Sequence, residues 1–558
     1  MDWQKTVLIA GMAIVAWLLV IQWNQFQDDR IKLSQAAQVQ EPAYLSNNEP
    51  PASFKNDNLD SELPLLQQPI VIPQERQAPK RNLIIVKNNV IEVAIDTLGG
   101  DIVGAKLLQH LDKMPNLGGQ PLAILQQNNM ATYIAKSGLI GPNATDKNSN
   151  RPQFASSSDR YETQDNQETM NVDLTLNMDG VEIIKRFQFS QDGYDVSVQY
   201  LINNLTSSEF RANFYGQIKR DSKPPVGGSS GLGAQPYLGA ALREPETNYA
   251  KYDFSEIAEG SVKTSITGGW ITMIQHYFIG AWIPPTGDQN RYELRKVKDE
   301  DVYLMSFIGA PIIVDAGQSG SYEAIFYVGP KDQEELSKLA EYLDLTVDYG
   351  FLWMIGKPIF FAMKAIHGVI GNWGWSIILL TLLIKLLLFP LSAASLKSMA
   401  KMRNLQPEMA RLKELYGDDR QKMSQETMSL YKKEKVNPAG GCFPMLLQMP
   451  VFLSLYWVLL ESVEIRHAPW VFWIQDLSAK DPYFILPLVM GASMFLMQKM
   501  QPMPADPMQA KVMQFMPIGF TFLFMTFPSG LVLYWTVNNL LSMVQQWYVN
   551  GQLINKKK

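Results

Sequence analysis

The sequence predicts a polytopic α-helical membrane protein that carries an all-β sandwich domain outside the membrane. Two observations predict this fold class. Residues from about 350 to 550 are rich in Leu, Ile, Met, Phe and Trp, and several of their apolar runs approach the roughly 20 residues of a spanning helix. Residues from about 80 to 345 contain β-branched runs separated by Asn, Asp and Gly turns, which is typical of a sandwich.

The overall composition excludes several classes of function. The 558 residues carry a mild net charge of −5, which argues against a general nucleic-acid binder. Cys442 is the one cysteine, so an intrachain disulfide is impossible. The four histidines are far apart in sequence and lack the spacing of metal ligands, so we expect no metal site. They are His110, His276, His367 and His467.

The first apolar run, Thr6–Trp23, is near the spanning length. Lys5 precedes it, and charged residues follow at positions 28–30. A cleaved signal peptide would end in a small-x-small site, whereas this run ends in Ile21-Gln22-Trp23-Asn24. We therefore predict an uncleaved signal anchor over residues 1–23, with the N-terminus in the cytoplasm.

The extracytoplasmic part is predicted to begin with a disordered tether at 24–80, because this segment is polar and lacks a sustained period. A β-sandwich domain over 81–345 follows it, and the domain ends in a helical stretch, Asp332–Leu343. Its strand-like runs are NLIIVKNNVIEVAID (82–96), VEIIKRFQFS (181–190), YDVSVQYLINN (194–204), EFRANFYGQIK (209–219), DVYLMSFIG (301–309) and YEAIFYVG (322–329).

One motif in the β domain resembles the site of a hydrolase. Gly227-Gly228-Ser229-Ser230-Gly231 formally matches the G-x-S-x-G nucleophile elbow, which needs a strand before it and a helix after it. Pro224 and Pro225 precede the motif, and Pro236 follows it. We therefore interpret it as a loop and predict no catalytic residues.

The segment 346–370 is predicted to be an amphipathic helix at the membrane interface. Within Tyr349–Ile370, the polar residues Lys357, Lys364 and His367 recur at roughly helical spacing among aromatic and aliphatic residues. A true span is the alternative for this segment.

The core over 371–550 begins with Trp373–Arg403, WGWSIILLTLLIKLLLFPLSAASLKSMAKMR. Its first part is long and apolar enough to span a bilayer, and it contains Lys385. Together with the anchor, the predicted spans number six, with Pro528-Ser529-Gly530 as a tight turn between the last two. The four later spans are approximately Phe443–Val463, Tyr483–Lys499, Val512–Phe527 and Leu531–Tyr548.

The distribution of basic residues predicts the orientation of these spans. The segment 392–436 is rich in Lys and Arg, whereas the loop Glu464–Pro482 has only Arg466 and Lys480, and the short tail 551–558 ends in three lysines. The positive-inside rule therefore places the basic segment and both termini in the cytoplasm. Amphipathic patterns on either side of Gly417-Asp418-Asp419 predict that the basic segment is a helical hairpin, with Asp418 or Asp419 as a cap.

Lys385 is the main functional candidate, because a charge within a span costs roughly 3 kcal/mol on insertion scales. The nearest acidic residues of the spans, Glu461 and Glu464, lie toward the opposite membrane face. Snorkelling of the lysine and a hydrated groove both explain its position, and scattered polar residues favour the groove. These are Ser376, Thr381, Gln448, Gln514, Asn538, Asn539 and Gln545.

Two functional classes fit these residues. One is a transporter or channel for a small anion, and the other is a device that handles polypeptides. Internal repeats are typical of transporters, and the five later spans show none. A third class, an extracytoplasmic enzyme attached to a membrane anchor, would not explain why the chain has several predicted spans after residue 370.

Three stretches resemble the YidC-type membrane protein insertases. They are NPAGGCFPMLLQMPVFLSLYWVL at 437–459, SMAKMRNLQPEM at 398–409 and FPSGLVLYWTVNNL at 527–540. The order of parts also resembles the Gram-negative form of the family. The resemblance implies a five-span insertase core in the bacterial inner membrane, a periplasmic β-sandwich, and neither a nucleotide cofactor nor covalent chemistry.

The resemblance also implies a site and partners. Lys385 stands where the family most often has Arg, in a hydrophilic groove open to the cytoplasm and the lipid. Thr381, Gln448, Tyr534 and Trp535 are the other expected groove residues. The expected partners are nascent membrane proteins, the Sec translocon, membrane lipids, and the ribosome and signal recognition particle pathway.

Overall fold

The computed structural model describes residues 82–128, 131–146, 151–164, 167–225, 236–417, 419–434, 439–501 and 507–555. The chain divides into two compact units, a β unit that ends at Val347 and a helical unit that begins at Asp348. The predicted anchor (1–23), the tether (24–80) and the Gly227–Gly231 motif lie outside the described residues.

The β unit contains nineteen strands in its described residues. They are β1 Leu83–Lys87, β2 Ile91–Asp96, β3 Asp101–Leu111, β4 Pro121–Gln127, β5 Thr132–Ile140, β6 Ala155–Ser156, β7 Arg160–Glu162, β8 Thr169–Met178, β9 Val181–Ser190, β10 Asp195–Asn204, β11 Phe210–Arg220, β12 Leu238–Leu242, β13 Ala250–Tyr252, β14 Val262–Thr267, β15 Ile271–Gln275, β16 Phe278–Ile283, β17 Gln289–Lys296, β18 Tyr303–Val314 and β19 Ser319–Pro330.

These strands form two sheets. The ten-stranded sheet has the order β14-β17-β18-β11-β5-β4-β3-β2-β1-β7, and the nine-stranded sheet has the order β13-β12-β15-β16-β19-β10-β9-β8-β6. Most neighbours are antiparallel and local in sequence, as in the β8–β9 and β9–β10 hairpins. The pairing of β1 with β7 is parallel.

The two sheets pack face to face, which confirms the predicted β-sandwich. Phe214 of the ten-stranded sheet contacts Tyr200, Trp282 and Tyr322 of the other sheet, with ring centroids 5.7, 6.1 and 5.0 Å apart. Aromatic pairs at such separations add about 0.5–1.5 kcal/mol beyond the burial of their area. Along β9 buried and half-exposed residues alternate strictly, because successive side chains of a strand point to opposite faces.

The predicted strand-like runs all correspond to strands, although β18 continues five residues beyond its predicted run and β19 begins three residues before its own. The run NLIIVKNNVIEVAID forms the β1–β2 hairpin rather than a single strand. Asn88 makes the turn, because its side-chain Oδ1 accepts hydrogen bonds from the backbone N–H groups of Val90 and Ile91. Asn side chains favour turns through such local bonds.

The described residues of the β unit also form two short α-helices. Helix α1, Phe254–Glu259, begins at Asp253, and α2, Gln333–Leu339, begins at Asp332. The side chain of Asp332 accepts hydrogen bonds from the N–H groups of the first turn of α2, as a good N-cap does. The predicted helical stretch is therefore shorter than expected and ends four residues before Leu343.

The helical unit has nine α-helices in its described residues. They are α3 Trp353–Ile370, α4 Trp373–Leu387, α5 Phe389–Asn404, α6 Gln406–Tyr416, α7 Arg420–Lys433, α8 Ala439–Glu461, α9 Ile485–Lys499, α10 Pro507–Phe524 and α11 Ser529–Asn555. Helix α11 contacts α4, α5, α8 and α9, and α3 packs against α4 and α8. The longest helix, α11, therefore packs against helices from several parts of the unit.

The stretch Trp373–Arg403 is bent rather than continuous. Helices α4 and α5 meet at Leu388 with an angle of 69° between them. Pro390 lies in the first turn of α5 and has no N–H, so it cannot donate to the carbonyl four residues earlier. Pro390 is visible in the sequence, and the bend is the physical consequence of its missing N–H group.

The lengths of the helices bear on the predicted spans. Within the described part of the chain, no single helix is long and apolar enough to cross a membrane. Helices α4 and α5 reach that length together, across their bend, and shorter apolar helices occupy Ile485–Lys499 and Lys511–Phe524. The count of six spans therefore stays a prediction.

The predicted hairpin segment, 392–436, forms three helices. The first amphipathic stretch is split at Leu405 into α5 and α6, where Pro407 lies in the first turn of α6. The side chain of Asp419 accepts from the N–H groups of Gln421 and Lys422, which confirms this residue as the cap of α7. Helix α6 contacts α7. The side of the membrane on which these helices lie stays a prediction.

Candidate functional site

Lys385 lies in the last turn of α4 and is 8% exposed. Its ammonium group donates to Ser542 Oγ of α11 at 2.8 Å and to Gln448 Oε1 of α8 at 3.4 Å. Both partners are neutral. Among the described residues, the structure records no carboxylate within ion-pair distance of this ammonium group.

A small cavity adjoins the ammonium group. Its volume is about 20 Å³, which is room for about one water molecule. The cavity is lined by residues of α4, α5, α8 and α11, and leucine and isoleucine side chains make up its apolar wall. Its polar lining comes from Thr381, Lys385, Ser392, Gln448, Tyr534 and Asn538.

Three of the polar lining residues, Lys385, Gln448 and Asn538, are linked by hydrogen bonds. Gln448 accepts from Lys385 through Oε1 and donates through Nε2 to Asn538 Oδ1. Ser542 accepts from Lys385 and donates its own proton to the backbone carbonyl of Asn538 at 2.7 Å. Thr381 donates to the backbone carbonyl of Ile377 at 2.6 Å, one helical turn earlier. The cation therefore sits within a network of neutral groups, with Thr381 beside it.

The structure brings together four of the five residues that the sequence nominated. Lys385, Thr381, Gln448 and Tyr534 all line the cavity, whereas Trp535 does not. Trp535 packs instead in an aromatic cluster, 4.4 Å from the ring of Phe452. Its ring is also 5.1 Å from that of Phe524. Neighbouring residues of a helix point about 100° apart, and here Tyr534 lines the cavity whereas Trp535 points to its side, although both contact the ring of Phe452.

Sequence reasoning missed Ser542. A signal was present, because Asn538, Ser542 and Gln545 follow one another at intervals of four and three residues on α11 and so share a face. The polar residue Asn539, which the sequence placed with the site, faces elsewhere. Its amide donates to Ser493 of α9 at 3.0 Å.

A second buried charged cluster lies in the β unit, and sequence reasoning missed it entirely. Arg151 forms ion pairs with Asp101 and Asp146 and donates to the hydroxyl of Tyr215. Lys185 of the opposite sheet is completely buried. The signal was its place in β9, where it falls on the same face as the buried apolar residues of that strand.

Lys185 links the two sheets. Its ammonium group donates to the backbone carbonyls of Gly99 and Ser137, each at 3.0 Å. Burial lowers the pKa of Lys185 to about 7, against the opposing effect of Asp101. Burial also raises the pKa of Asp146, although Arg151 opposes that shift. Because its hydrogen bonds join the two sheets and its ion pairs hold both carboxylates, we interpret the cluster as an internal support of the sandwich.

Among the residues that the structure describes, no group of three or more His, Cys, Asp or Glu side chains has an arrangement that could hold a metal ion.

Each of the two units matches a known protein family. Residues 365–557 match the family described as 60Kd inner membrane protein, and residues 83–362 match the family described as YidC periplasmic domain. Together the two matches cover nearly all of the described chain. The β-sandwich is therefore the periplasmic domain of this family.

Individual relatives agree. The membrane protein insertase YidC of Cellvibrio japonicus is 50% identical over 561 aligned residues, covering 99% of each chain. The protein of the same name from Stutzerimonas stutzeri is 47% identical, again over 99% of each chain. A crystal structure of an active YidC insertase with its first transmembrane domain resolved covers 84% of this chain and 93% of its own, with 18% identity and a TM-score of 0.37. On the strength of the sequence matches, this chain belongs to the YidC family of bacterial inner-membrane protein insertases.

Proposed function

We propose that this chain inserts nascent proteins into the inner membrane by offering them the charge of Lys385. The observation that carries the proposal is a buried ammonium group whose recorded partners, Ser542 and Gln448, are both neutral. The family and the names of its members support the same activity.

The physical argument starts from the cost of moving polar segments into a bilayer. An acidic side chain near the bilayer centre costs roughly 3 kcal/mol, and a cation within a few ångströms offsets part of that cost. In the resting protein the neutral network holds Lys385 without cancelling its charge. A substrate segment that carries Asp or Glu supplies the missing counter-charge, and the ion pair ends when the segment leaves.

The cavity is too small for a polypeptide, since its volume is about 20 Å³. We therefore infer that α4 and α11 move apart, toward the lipid and the cytoplasm, to admit a substrate segment. A hydrogen bond between a charged and a neutral group, such as that from Lys385 to Ser542, is worth about 1.5–3 kcal/mol, so the network does not prevent this opening.

The membrane arrangement is part of the proposal. We infer six spans, with both termini and the basic segment 392–436 in the cytoplasm and with α3 at the periplasmic interface. The exposed basic residues of α6 and α7 support the cytoplasmic location of that segment. The domain limits proposed from the sequence, including a tether over 24–80, remain part of this arrangement.

The proposed partners follow from the same arrangement. The exposed charges of α6 and α7 suit contacts with anionic lipids, the ribosome or the signal recognition particle pathway. Cooperation with the Sec translocon is proposed for the periplasmic domain and the core. No covalent step is proposed, because insertion is driven by the burial of apolar substrate segments and by transient charge pairing.

The test is complementation of cells depleted of their own insertase, with insertion measured on a substrate that has acidic residues in its translocated segment. We expect Lys385→Arg to retain insertion and Lys385→Glu to lose it, because the second change repels the acidic segment. Lys397→Glu is the matched control, since this lysine of α5 is exposed. Normal insertion by Lys385→Glu would contradict the proposal.

A further inference from the structure

One helix contacts Lys385 at two separate atoms. Ser542 Oγ of α11 accepts from the ammonium group at 2.8 Å, and Gln545 Nε2 of the same helix donates to the backbone carbonyl of Lys385 at 3.3 Å. The two α11 residues are three positions apart and therefore lie on one face of the helix. The tip and the base of the lysine are thus both fixed by α11.

The bend between α4 and α5 explains why the carbonyl needs a partner. The last four carbonyls of a helix lack a donor from their own helix, and α4 ends at Leu387, two residues after Lys385. A buried carbonyl without a partner costs about 1–3 kcal/mol. The side-chain amide of Gln545 supplies the donor at this point, and it thereby ties the bend to α11.

The orientation of Ser542 is also determined by the structure. Its hydroxyl proton is donated to the carbonyl of Asn538 at 2.7 Å, so its lone pairs remain for the ammonium group. A lysine side chain loses about 2 kcal/mol of rotamer entropy when it is held in one conformation. A single contact at the tip would therefore hold it poorly, whereas contacts at both ends define its position.

We propose that Ser542 and Gln545 are positioning residues, which together fix the ammonium group of Lys385 at the cavity. Gln545 sets the place of the backbone at the bend, and Ser542 sets the direction of the side chain. This inference rests on the proposed function of Lys385 for its consequence, but the positioning itself is a separate physical claim.

The chain offers a matched control for Gln545 in the next residue. Gln546 also donates its side-chain amide to a backbone carbonyl near a helix end, that of Met500 after α9, at 2.9 Å. Gln545→Leu and Gln546→Leu therefore make the same chemical change to the same kind of bond. Only the first of them touches Lys385.

The positioning is measured by cross-linking across the bend. Phe389 of α5 and Tyr548 of α11 have ring centroids 6.3 Å apart. Full-length protein with Cys442→Ser, Phe389→Cys and Tyr548→Cys is treated in membranes with a short bifunctional thiol reagent. We expect Gln545→Leu to lower the cross-linking yield by about fivefold, the effect of one lost hydrogen bond, and Gln546→Leu to leave it unchanged. Equal yields for the two variants overturn the role of Gln545.

The consequence is measured by insertion of two substrates, one with an acidic and one with an uncharged translocated segment. We expect Gln545→Leu and Ser542→Ala to reduce insertion of the acidic substrate by about fivefold and to spare the uncharged one. Ser542→Thr, which keeps the hydroxyl, should restore insertion. Equal losses for both substrates would indicate a general structural defect and overturn the proposal.

A combined variant separates this inference from the proposed function. If Gln545 acts through Lys385, then Gln545→Leu causes no further loss in a Lys385→Ala background. Additive losses overturn the inference. If Lys385→Ala inserts both substrates normally while Gln545→Leu still lowers cross-linking, the positioning stands and the proposed role of the charge fails.

Discussion

The two units of this protein each bury a lysine, and they treat it differently. Lys185 of the periplasmic sandwich is fully buried, and Lys385 of the helical core is 8% exposed. Both ammonium groups donate to neutral oxygens, backbone carbonyls in the first case and side chains in the second. The difference lies in what surrounds these oxygens.

Around Lys185 the charges are balanced within the protein. Asp101 and Asp146 lie close enough to influence it, and Arg151 pairs with both carboxylates. Around Lys385 the described residues supply no such balance, and a cavity lies beside the ammonium group. A buried charge with internal partners supports a fold, whereas a buried charge beside a cavity is available to a ligand.

The largest expected effect tests the structural role of the sandwich cluster. Arg151→Ala should lower the free energy of unfolding by about 3–5 kcal/mol, because it leaves Asp101 and Asp146 buried without their cation. Denaturation of the full-length protein in detergent, followed by tryptophan fluorescence, measures this loss. Arg186→Ala, which breaks a half-exposed pair with Asp173, is the control and should cost at most about 1 kcal/mol. Equal losses would contradict the assignment.

The next effect concerns the pH dependence of stability. The pKa of Lys185 is lowered by burial to about 7 in the folded protein, so between this pH and the ordinary lysine pKa of 10.5 only the unfolded chain binds the proton. The contribution of Lys185 to stability should therefore rise with pH in this window, by up to about 1.4 kcal/mol per pH unit, and be constant below it.

Lys185→Met is the variant that reveals this slope, because it removes the titrating group and keeps an unbranched side chain. The unfolding free energy of the original protein, relative to that of the variant, should increase from pH 7 to pH 9. A difference that does not change with pH would show that Lys185 keeps its proton in both states.

A third effect is the contrast between substitutions of the two lysines, measured on both insertion and stability. Lys385→Ala should reduce insertion of an acidic substrate by about tenfold, a loss of about 1.4 kcal/mol, with little change in stability. Lys185→Met should leave insertion of the same substrate unchanged. Complementation and denaturation, both performed on both variants, measure this pattern. An insertion defect in Lys185→Met with normal stability would break the distinction between the two lysines.

The smallest effect concerns the neighbouring aromatic residues. Trp535 packs against Phe452 and Phe524 rather than lining the cavity, so Trp535→Tyr should change insertion by less than about twofold. Photo-cross-linking to a nascent substrate should correspondingly be stronger from position 381 than from position 535. Stronger cross-linking from position 535 would show that the substrate follows the aromatic cluster instead.

Much of the molecule could be predicted from local patterns. The alternation of β9 and β10 predicted their limits to within one residue, because a half-buried strand repeats its environment every two residues. The cap at Asp419 was likewise local chemistry. The Asn88 turn was missed although its cause is local, because alternation on both sides concealed the break.

The site was predicted in part. Lys385 was conspicuous because a charge stood in an apolar run, and Thr381 lies one turn before it. Ser542 and Lys185 each carry a local signal, but the groups that they meet could not be assigned, because these partners are distant in sequence. Ser542 is 157 residues from Lys385, and Arg151 is 50 from Asp101.

The sequence by itself determined the class of fold, the family and the prominence of Lys385 as a charge in an apolar run, because periodicity, run length and motif are properties of neighbouring residues. The tertiary structure decided which groups meet that cation, why Trp535 is not among them, and that Lys185 is part of an internal support. Contacts between distant segments depend on how helices and sheets pack, and no local pattern encodes that packing.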